Sequence, residues 1–337
     1  MLAAVVNYYL GVGQGLFLLF FLFALSLYLM WRIAIDLLLV KLRGDKHALQ
    51  HAIQLVKASA WFAAGLIVVL SIVGLIVREI DGTAAERADI AANNNTLMAM
   101  DKALFNVYPP LWFQQTDNIF KPFFDATMSS WIYLYGLLTI VMTFAFIYLF
   151  ALNRRLFMQL LTAFFLCMAL SFPFWYAFPA ISPLVSYWHP IIEQDIPEDV
   201  QTQLDQYQPN EILAAYLQRV AEARDSVKDK IIIVTTIPSM HIAWGTLVVY
   251  YLSVAWRPFL IGTIPFFLLN NISTLVTMQH YAVDVIAGII VAVLAIIIAR
   301  YVPLHRLPQL RPLFNTIEDD VSSLRKQLPK LALTRRS

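Results

Sequence analysis

The chain has 337 residues, 60% of them apolar and 14% charged, with a mean hydropathy of +0.67. Soluble domains are about one-quarter charged, so this composition excludes an ordinary water-soluble enzyme and points to a polytopic membrane protein. A net charge of +2 gives nucleic acid no footing, and the single cysteine, Cys167, excludes a disulfide framework or a zinc site built on cysteine pairs.

In chain order, seven apolar stretches approach or exceed the roughly 20 helical residues that cross a hydrocarbon core. They lie at 14–38, 58–77, 128–151, 156–178, 237–256, 258–277 and 281–301. The expected fold class is therefore all-α, a polytopic membrane helix bundle of about seven transmembrane helices. The first stretch has no basic leader and is too long for the apolar part of a cleaved signal peptide. Gly11-Val-Gly13-Gln-Gly15 is not a nucleotide loop, because no strand precedes it, and suits close helix packing.

Charge sets the expected orientation. The 41–57 loop, Arg154–Arg155, Arg257 and the tail from Arg300, with Arg32 and Asp36 nearby, hold 16 of the 24 Lys/Arg and 5 of the 22 Asp/Glu. That side is expected to be cytoplasmic, which puts the N-terminus outside and the C-terminus inside. The chain then divides into an N-terminal span and cytoplasmic loop (1–57), a membrane core (58–302) and a cytoplasmic tail (303–337). Two long segments, 78–127 and 179–236, face the periplasm, cell exterior or organelle lumen. Both are expected to contain helix. Ala84–Ala92 is rich in helix formers, and Asn210–Lys228 places Ile212, Leu213, Tyr216, Leu217 and Val220 on one face, suited to packing on the membrane domain. The tail, with Glu318, Asp319, Asp320 and Arg325–Lys326, reads as an appendage or short helix.

Most histidines have ordinary addresses. His47 and His51 stand four apart but lack the glutamate of a metalloprotease motif, and are expected to be surface residues. His189 and His305 have no evident partner. His241 begins the fifth span and His280 the seventh, and alternating topology brings both to one depth at the outer face. Asp284 follows His280 by four residues, on the same helical face. A carboxylate at the start of the apolar run Val285–Ala299 is costly unless paired, and the imidazole one turn away is its natural partner. Asn270, Asn271, Ser273 and Thr274 add polar groups near the outer end of the sixth span.

Two histidines and a carboxylate suffice for phosphoryl chemistry. One imidazole, oriented by the carboxylate, attacks phosphorus, and the other protonates the leaving oxygen. The residues alone leave two other readings open: a structural His–Asp pair capping a helix, and a His-His-Asp metal site.

At these residues the chain resembles the type 2 phosphatidic acid phosphatase superfamily of membrane lipid phosphatases and phosphotransferases. Pro238-Ser239-Met240-His241 matches that family's Pro-Ser-Gly-His motif with Met for Gly. Ser273, His280 and Asp284 match its Ser-Arg, five residues, His, three residues, Asp motif, with Thr274 in place of the arginine. The family's first motif, Lys, six residues, Arg-Pro, has no counterpart. Arg257-Pro258 falls on the cytoplasmic side and after the second motif. Pro-Ser-Met-His-Ile-Ala-Trp and His-Tyr-Ala-Val-Asp-Val-Ile-Ala-Gly are similar to the inositol phosphorylceramide synthase-like branch. His-Tyr-x-x-Asp-Val is similar to sphingomyelin synthases as well, and Phe178–Pro183 resembles the proline-rich segment that such proteins carry. The resemblance spans roughly 105–300.

The resemblance implies a six-helix phosphatase-type core plus an extra N-terminal span. It implies His280 as a nucleophile forming phosphohistidine, Asp284 as its orienting carboxylate and His241 as general acid. Ser239 and Ser273 would help bind phosphate, and another cation would replace the absent arginine, with Lys121 and Lys230 the leading candidates ahead of Lys228 and Arg78. No metal or cofactor is required. The implied substrate is a membrane lipid phosphate or phosphodiester, and the phospho-head group passes to a polyol or lipid hydroxyl (phosphotransferase) or to water (phosphatase). A proton-coupled transporter using the same His and Asp, and an inactive scaffold of the same fold, are the non-enzyme alternatives.

Overall fold

The computed structural model describes residues 14–84, 89–113, 137–188, 195–205, 236–301 and 307–334. The helices are α1 Gln14–Arg43, α2 Lys46–Ala84, α3 Ile90–Phe105, α4 Pro109–Trp112, α5 Leu137–Leu152 and α6 Arg154–Ala177, followed by α7 Glu198–Asp205, α8 Met240–Ala255, α9 Leu260–Val276, α10 Ala282–Tyr301 and α11 Arg311–Thr334. No strand occurs among the described residues. Four helices are long and apolar enough to cross a membrane, at Lys46–Ile76, Arg154–Ala177, Arg257–Val276 and Ala282–Tyr301, and Leu137–Leu152 and Met240–Ala255 are shorter apolar helices. Such runs are helical because the backbone's own hydrogen bonds satisfy every N–H and C=O where no water can. Trp61, Ile140, Ile261 and Ile290 are left exposed on the bundle's outer faces, an arrangement that suits lipid. The all-α polytopic bundle expected from the sequence is the fold observed.

Helix α8 is the hub. It packs against α5, α6, α9 and α10, and α6 and α10 share the broadest interface. Trp244 of α8 is 2% exposed and stacks on Phe164 of α6 with ring centroids 4.6 Å apart. Its indole N–H donates to the Phe164 carbonyl at 3.4 Å, which supplies the partner a buried indole needs. Small residues on α10, Gly288, Ala292, Ala295 and Ala299, let the helices approach.

A second, smaller core caps the end of the bundle that carries His241 and His280. Leu97 and Met98 of α3, Tyr108, Leu184 and Tyr187, and Val200 of α7 pack over Met278, Tyr281 and Val283. Side-chain amides bind this layer together. Asn93 donates to the Pro179 carbonyl at 2.9 Å, Asn94 accepts from the Ile181 N–H at 3.0 Å, and Asn95 accepts from the Tyr187 hydroxyl at 2.9 Å. The sequon Asn94-Asn95-Thr96 therefore has its acceptor asparagine fully buried and engaged.

Three local expectations change. The stretch read as a 41–57 loop is helix from Lys46 onward, with only Gly44 and Asp45 between α1 and α2, and Gly44 at φ 65° makes the reversal. His51 is not a plain surface residue. Its Nδ1 lies 2.6 Å from Asp36 Oδ2 and its Nε2 2.8 Å from Thr316 Oγ1. The tail is a 24-residue helix, α11, which buries Leu313, Phe314 and Ile317 against the bundle. Residues 128–136 of the third predicted span and the Asn210–Lys228 stripe lie outside the described residues.

Candidate active site

The two motif segments are joined through the backbone. Ser239 caps the N-terminus of α8, with its hydroxyl accepting the Ile242 N–H at 3.5 Å. Its own N–H donates to the Asp284 carbonyl at 3.1 Å. Gly288 lies one turn beyond Asp284, and a Cβ there would stand 2.5 Å from the Ser239 carbonyl oxygen and 3.2 Å from Ile242 Cβ. The α8 N-terminus thus rests directly on the first turns of α10.

That docking brings the imidazoles together. The His241 and His280 ring centroids are 5.7 Å apart at an interplanar angle of 65°. His280 Nδ1 faces Asp284 Oδ2 at 3.3 Å, and the same oxygen accepts the Tyr281 N–H at 3.0 Å. Asp284 is fully buried and His280 is 6% exposed. The other carboxylate oxygen, Oδ1, is buried with no hydrogen-bond partner among the described residues. A buried, half-satisfied carboxylate beside an imidazole is energetically poor in the resting protein and gains most when that imidazole becomes positively charged. The His280 ring is thus held between the Asp284 carboxylate and the Thr236 backbone.

The segment before α10 is set by α9. The Thr274 carbonyl accepts the Gln279 N–H at 3.0 Å and the His280 N–H at 3.3 Å, and Met278 takes a left-handed φ of 54° to close the turn. The Met278 carbonyl in turn accepts the Leu184 N–H at 2.9 Å, tying the turn to the capping layer. Asn270 reaches from α9 to the His241 carbonyl at 3.4 Å, fitting over Gly245.

Of the residues singled out in the sequence, His241, His280, Asp284 and Ser239 converge. Ser273 is buried with its hydroxyl donating to the Asn270 carbonyl at 2.9 Å, and Thr274 donates its hydroxyl to the Asn271 carbonyl at 2.8 Å, so both are turned onto their own helix. Lys121, Lys228 and Lys230 lie outside the described residues, as does the Arg78 side chain. Among the described residues, no group of three His, Cys, Asp or Glu side chains converges as metal ligands would.

Two residues were missed in the sequence. Gly288 looks like any small residue of an apolar helix until the close approach to Ser239 is seen. Asp101 of α3 is fully buried and accepts the Ala282 and Val283 N–H groups, both at 2.9 Å. A signal for Asp101 does exist. Ile90, Asn94, Leu97, Met98 and Asp101 form one helical stripe, and a carboxylate in an apolar stripe is an anomaly.

Apolar spanning helices and a His–His–Asp constellation buried at one end define an integral membrane protein with a site suited to phosphoryl chemistry. A family model described as the PAP2 superfamily matches residues 95–298, and the chain belongs to that superfamily. Membership carries phosphatase or phosphotransferase activity on lipid phosphates as the functional class. No curated protein and no solved structure matches the chain at a significant level.

Proposed function

We propose that this protein is a lipid phosphotransferase that moves a phospho-head group from a membrane lipid to an acceptor hydroxyl through a phosphohistidine on His280, at the extracytoplasmic face. The observation that carries this reading is the facing of His241 and His280, 5.7 Å apart, with Asp284 buried behind His280 Nδ1. In the first step His280 Nε2 attacks phosphorus, the bond from phosphorus to the lipid oxygen breaks, and His241 gives its proton to that oxygen. Asp284 holds the Nδ1 proton and offsets the charge that develops on the ring. In the second step an acceptor hydroxyl loses its proton to His241, its oxygen attacks phosphorus, and the phosphorus–nitrogen bond breaks. A polyol or a second lipid is the acceptor, and no metal or cofactor takes part.

Transfer is favoured over hydrolysis by enclosure. The layer of α3, α7 and the 179–188 segment roofs the turn that carries His280, and exclusion of water protects a reactive intermediate until the acceptor arrives. Thr274 in place of the motif arginine, together with the flanking motif residues, supports an inositol phosphorylceramide synthase-like branch. Lys121 and Lys230 are the residues we assign to neutralise the phosphoryl group in place of that arginine.

The test uses purified protein in detergent with mixed phospholipid and lipid phosphate substrates under EDTA, with His280→Ala alongside. Free phosphate and new lipid species are followed together. New phosphodiester lipid without free phosphate, absent in His280→Ala, is the expected result. Free phosphate alone establishes the phosphatase, and equal turnover by His280→Ala overturns the active-site assignment.

A further inference from the structure

Two residues after His280, helix α10 begins. A helix start exposes unpaired N–H groups at the positive end of its dipole, and such a start beside a phosphoryl site is a natural anion cradle. Here the cradle is already filled by the protein itself. The Tyr281 N–H donates to Asp284 Oδ2, the Ala282 N–H to Asp101 Oδ2 and the Val283 N–H to Asp101 Oδ1, at 3.0, 2.9 and 2.9 Å. Three consecutive amides are held by two carboxylates. One belongs to α10, and the other comes from a helix that precedes it by 181 residues in sequence.

Asp101 serves poorly as a mere stabiliser of α3. It is fully buried, and its polar contacts run to the α10 backbone rather than to a cation. Burying a carboxylate in that way carries a large desolvation cost, which two charge-assisted hydrogen bonds offset only in part. An exposed Ser, Thr or Asn at the start of α10 would cap it at far lower cost. What a bidentate carboxylate from outside adds is direction. Two bonds to adjacent amides fix both the position and the tilt of the Tyr281–Val283 turn, and His280 and Asp284 sit on either side of it.

We propose that Asp101 is a positioning residue for the reaction. It clamps the first turn of α10 so that His280 keeps its Nδ1 on Asp284 and its ring toward His241, and it denies the α10 amides to the substrate phosphate, which is left to the space between the two imidazoles. This rests on His280 being the nucleophile. Asp101 acts through the turn and touches no reacting atom.

The experiment compares wild-type, Asp101→Asn, Asp101→Ala, Lys102→Ala and His280→Ala full-length proteins in detergent, reading kcat, KM and the thermal midpoint. Asp101→Asn presents an N–H donor to a backbone N–H and is expected to lower kcat by about 100-fold, the order that a small misplacement of a reacting group costs, with KM changed by less than about threefold. Asp101→Ala leaves two free amides side by side. Formate or acetate is expected to restore several-fold of its lost kcat and to do nothing for Asp101→Asn. Lys102→Ala, one residue along the same helix, keeps the wild-type kcat. Wild-type kcat in folded Asp101→Ala overturns the clamp. So does lost kcat that neither anion restores, and so does failure of both Asp101 variants to fold, which would assign the residue to stability alone. Turnover by His280→Ala equal to wild type overturns the active-site reading and the clamp with it, whereas an inactive His280→Ala beside a normal Asp101→Ala overturns the clamp only.

Discussion

At the scale of single residues, the site depends on which carboxylate oxygen meets which proton. Asp284 Oδ2 takes both the Tyr281 N–H and the His280 Nδ1 side, while Oδ1 is buried without a partner among the described residues. Asp284→Asn preserves the volume and can keep its amide oxygen on the Tyr281 N–H and on His280 Nδ1, but it removes the negative charge that offsets an imidazolium. The expected loss in kcat is about 10³-fold or more with KM little changed, as in other oriented imidazoles, and steady-state kinetics in detergent check it. Asp101 carries a different prediction. Burial pushes its carboxyl up from the usual 3.8 to about 7, against the pull of the Ala282 and Val283 amides and with a push from Asp284. Among the described residues, Tyr187 is a further titratable group that interacts with it. A raised value in the folded state means that folding favours the protonated acid. Its contribution to stability is therefore complete near pH 4 and is lost as pH rises through about 7. The thermal midpoint of the wild type should fall between about pH 4 and pH 7, and Asp101→Asn should flatten that part of the curve. The nearby Asp199 has the opposite sign. Lys102 and Tyr108 hold it below the usual carboxylate range, so its small contribution disappears only in acid.

At the scale of elements, the decisive contact is the start of α8 against the first turns of α10. Gly288 permits it, because any Cβ would lie 2.5 Å from the Ser239 carbonyl and something must shift. Gly288→Ala is expected to insert and fold but to separate His241 from His280. A displacement near 1 Å at a reacting group costs about 100-fold, so kcat should fall by that order. A normal kcat in the alanine variant would show that the helices yield without moving the imidazoles. The element boundaries show how local signals compete. Lys46–Lys57 reads as a polar loop because Lys46, His47, Gln50, His51 and Lys57 interrupt the hydropathy, yet it continues α2, with Ala48, Ala52 and Leu55 buried on one face. A hydropathy window measures what lipid would tolerate, whereas a helix needs only one face to bury.

At the scale of the whole molecule, the end opposite the candidate site is held by a polar cluster. Arg32 bridges Asp36 at 3.0 Å and Asp320 at 3.2 Å, His51 joins Asp36 to Thr316, and the Tyr28 hydroxyl donates to Asp320 at 2.8 Å. Three helices, α1, α2 and α11, meet there, and all three lie outside the segment that matches the family model. Arg32→Ala strips the nearly buried Asp36 of its guanidinium, and removal of one partner from such a group costs about 3 kcal/mol. The expected outcome is a clearly lowered thermal midpoint with kcat per folded molecule unchanged. Helix α10, which starts beside His280, is 20 residues or about 30 Å long, and none of the cluster residues belongs to it. A matching loss of kcat would show that the two ends are coupled.

Residue order was enough to read the membrane class, the helical bundle and the three side chains that come together in the candidate site. Apolar run length is a one-dimensional property, and His280 and Asp284 are neighbours on a single helix. His241 was also legible, because alternation of the spans brings it to the depth of His280. What surrounds them came from the packing. The Asp101 clamp joins residues 181 positions apart, Gly288 matters only for what lies across from it, and His51 gains its role from α1 and α11. Each of these depends on the distance between helices and the angle at which they pack. Those quantities are set by the summed fit of many side chains, and no local stretch of sequence encodes them.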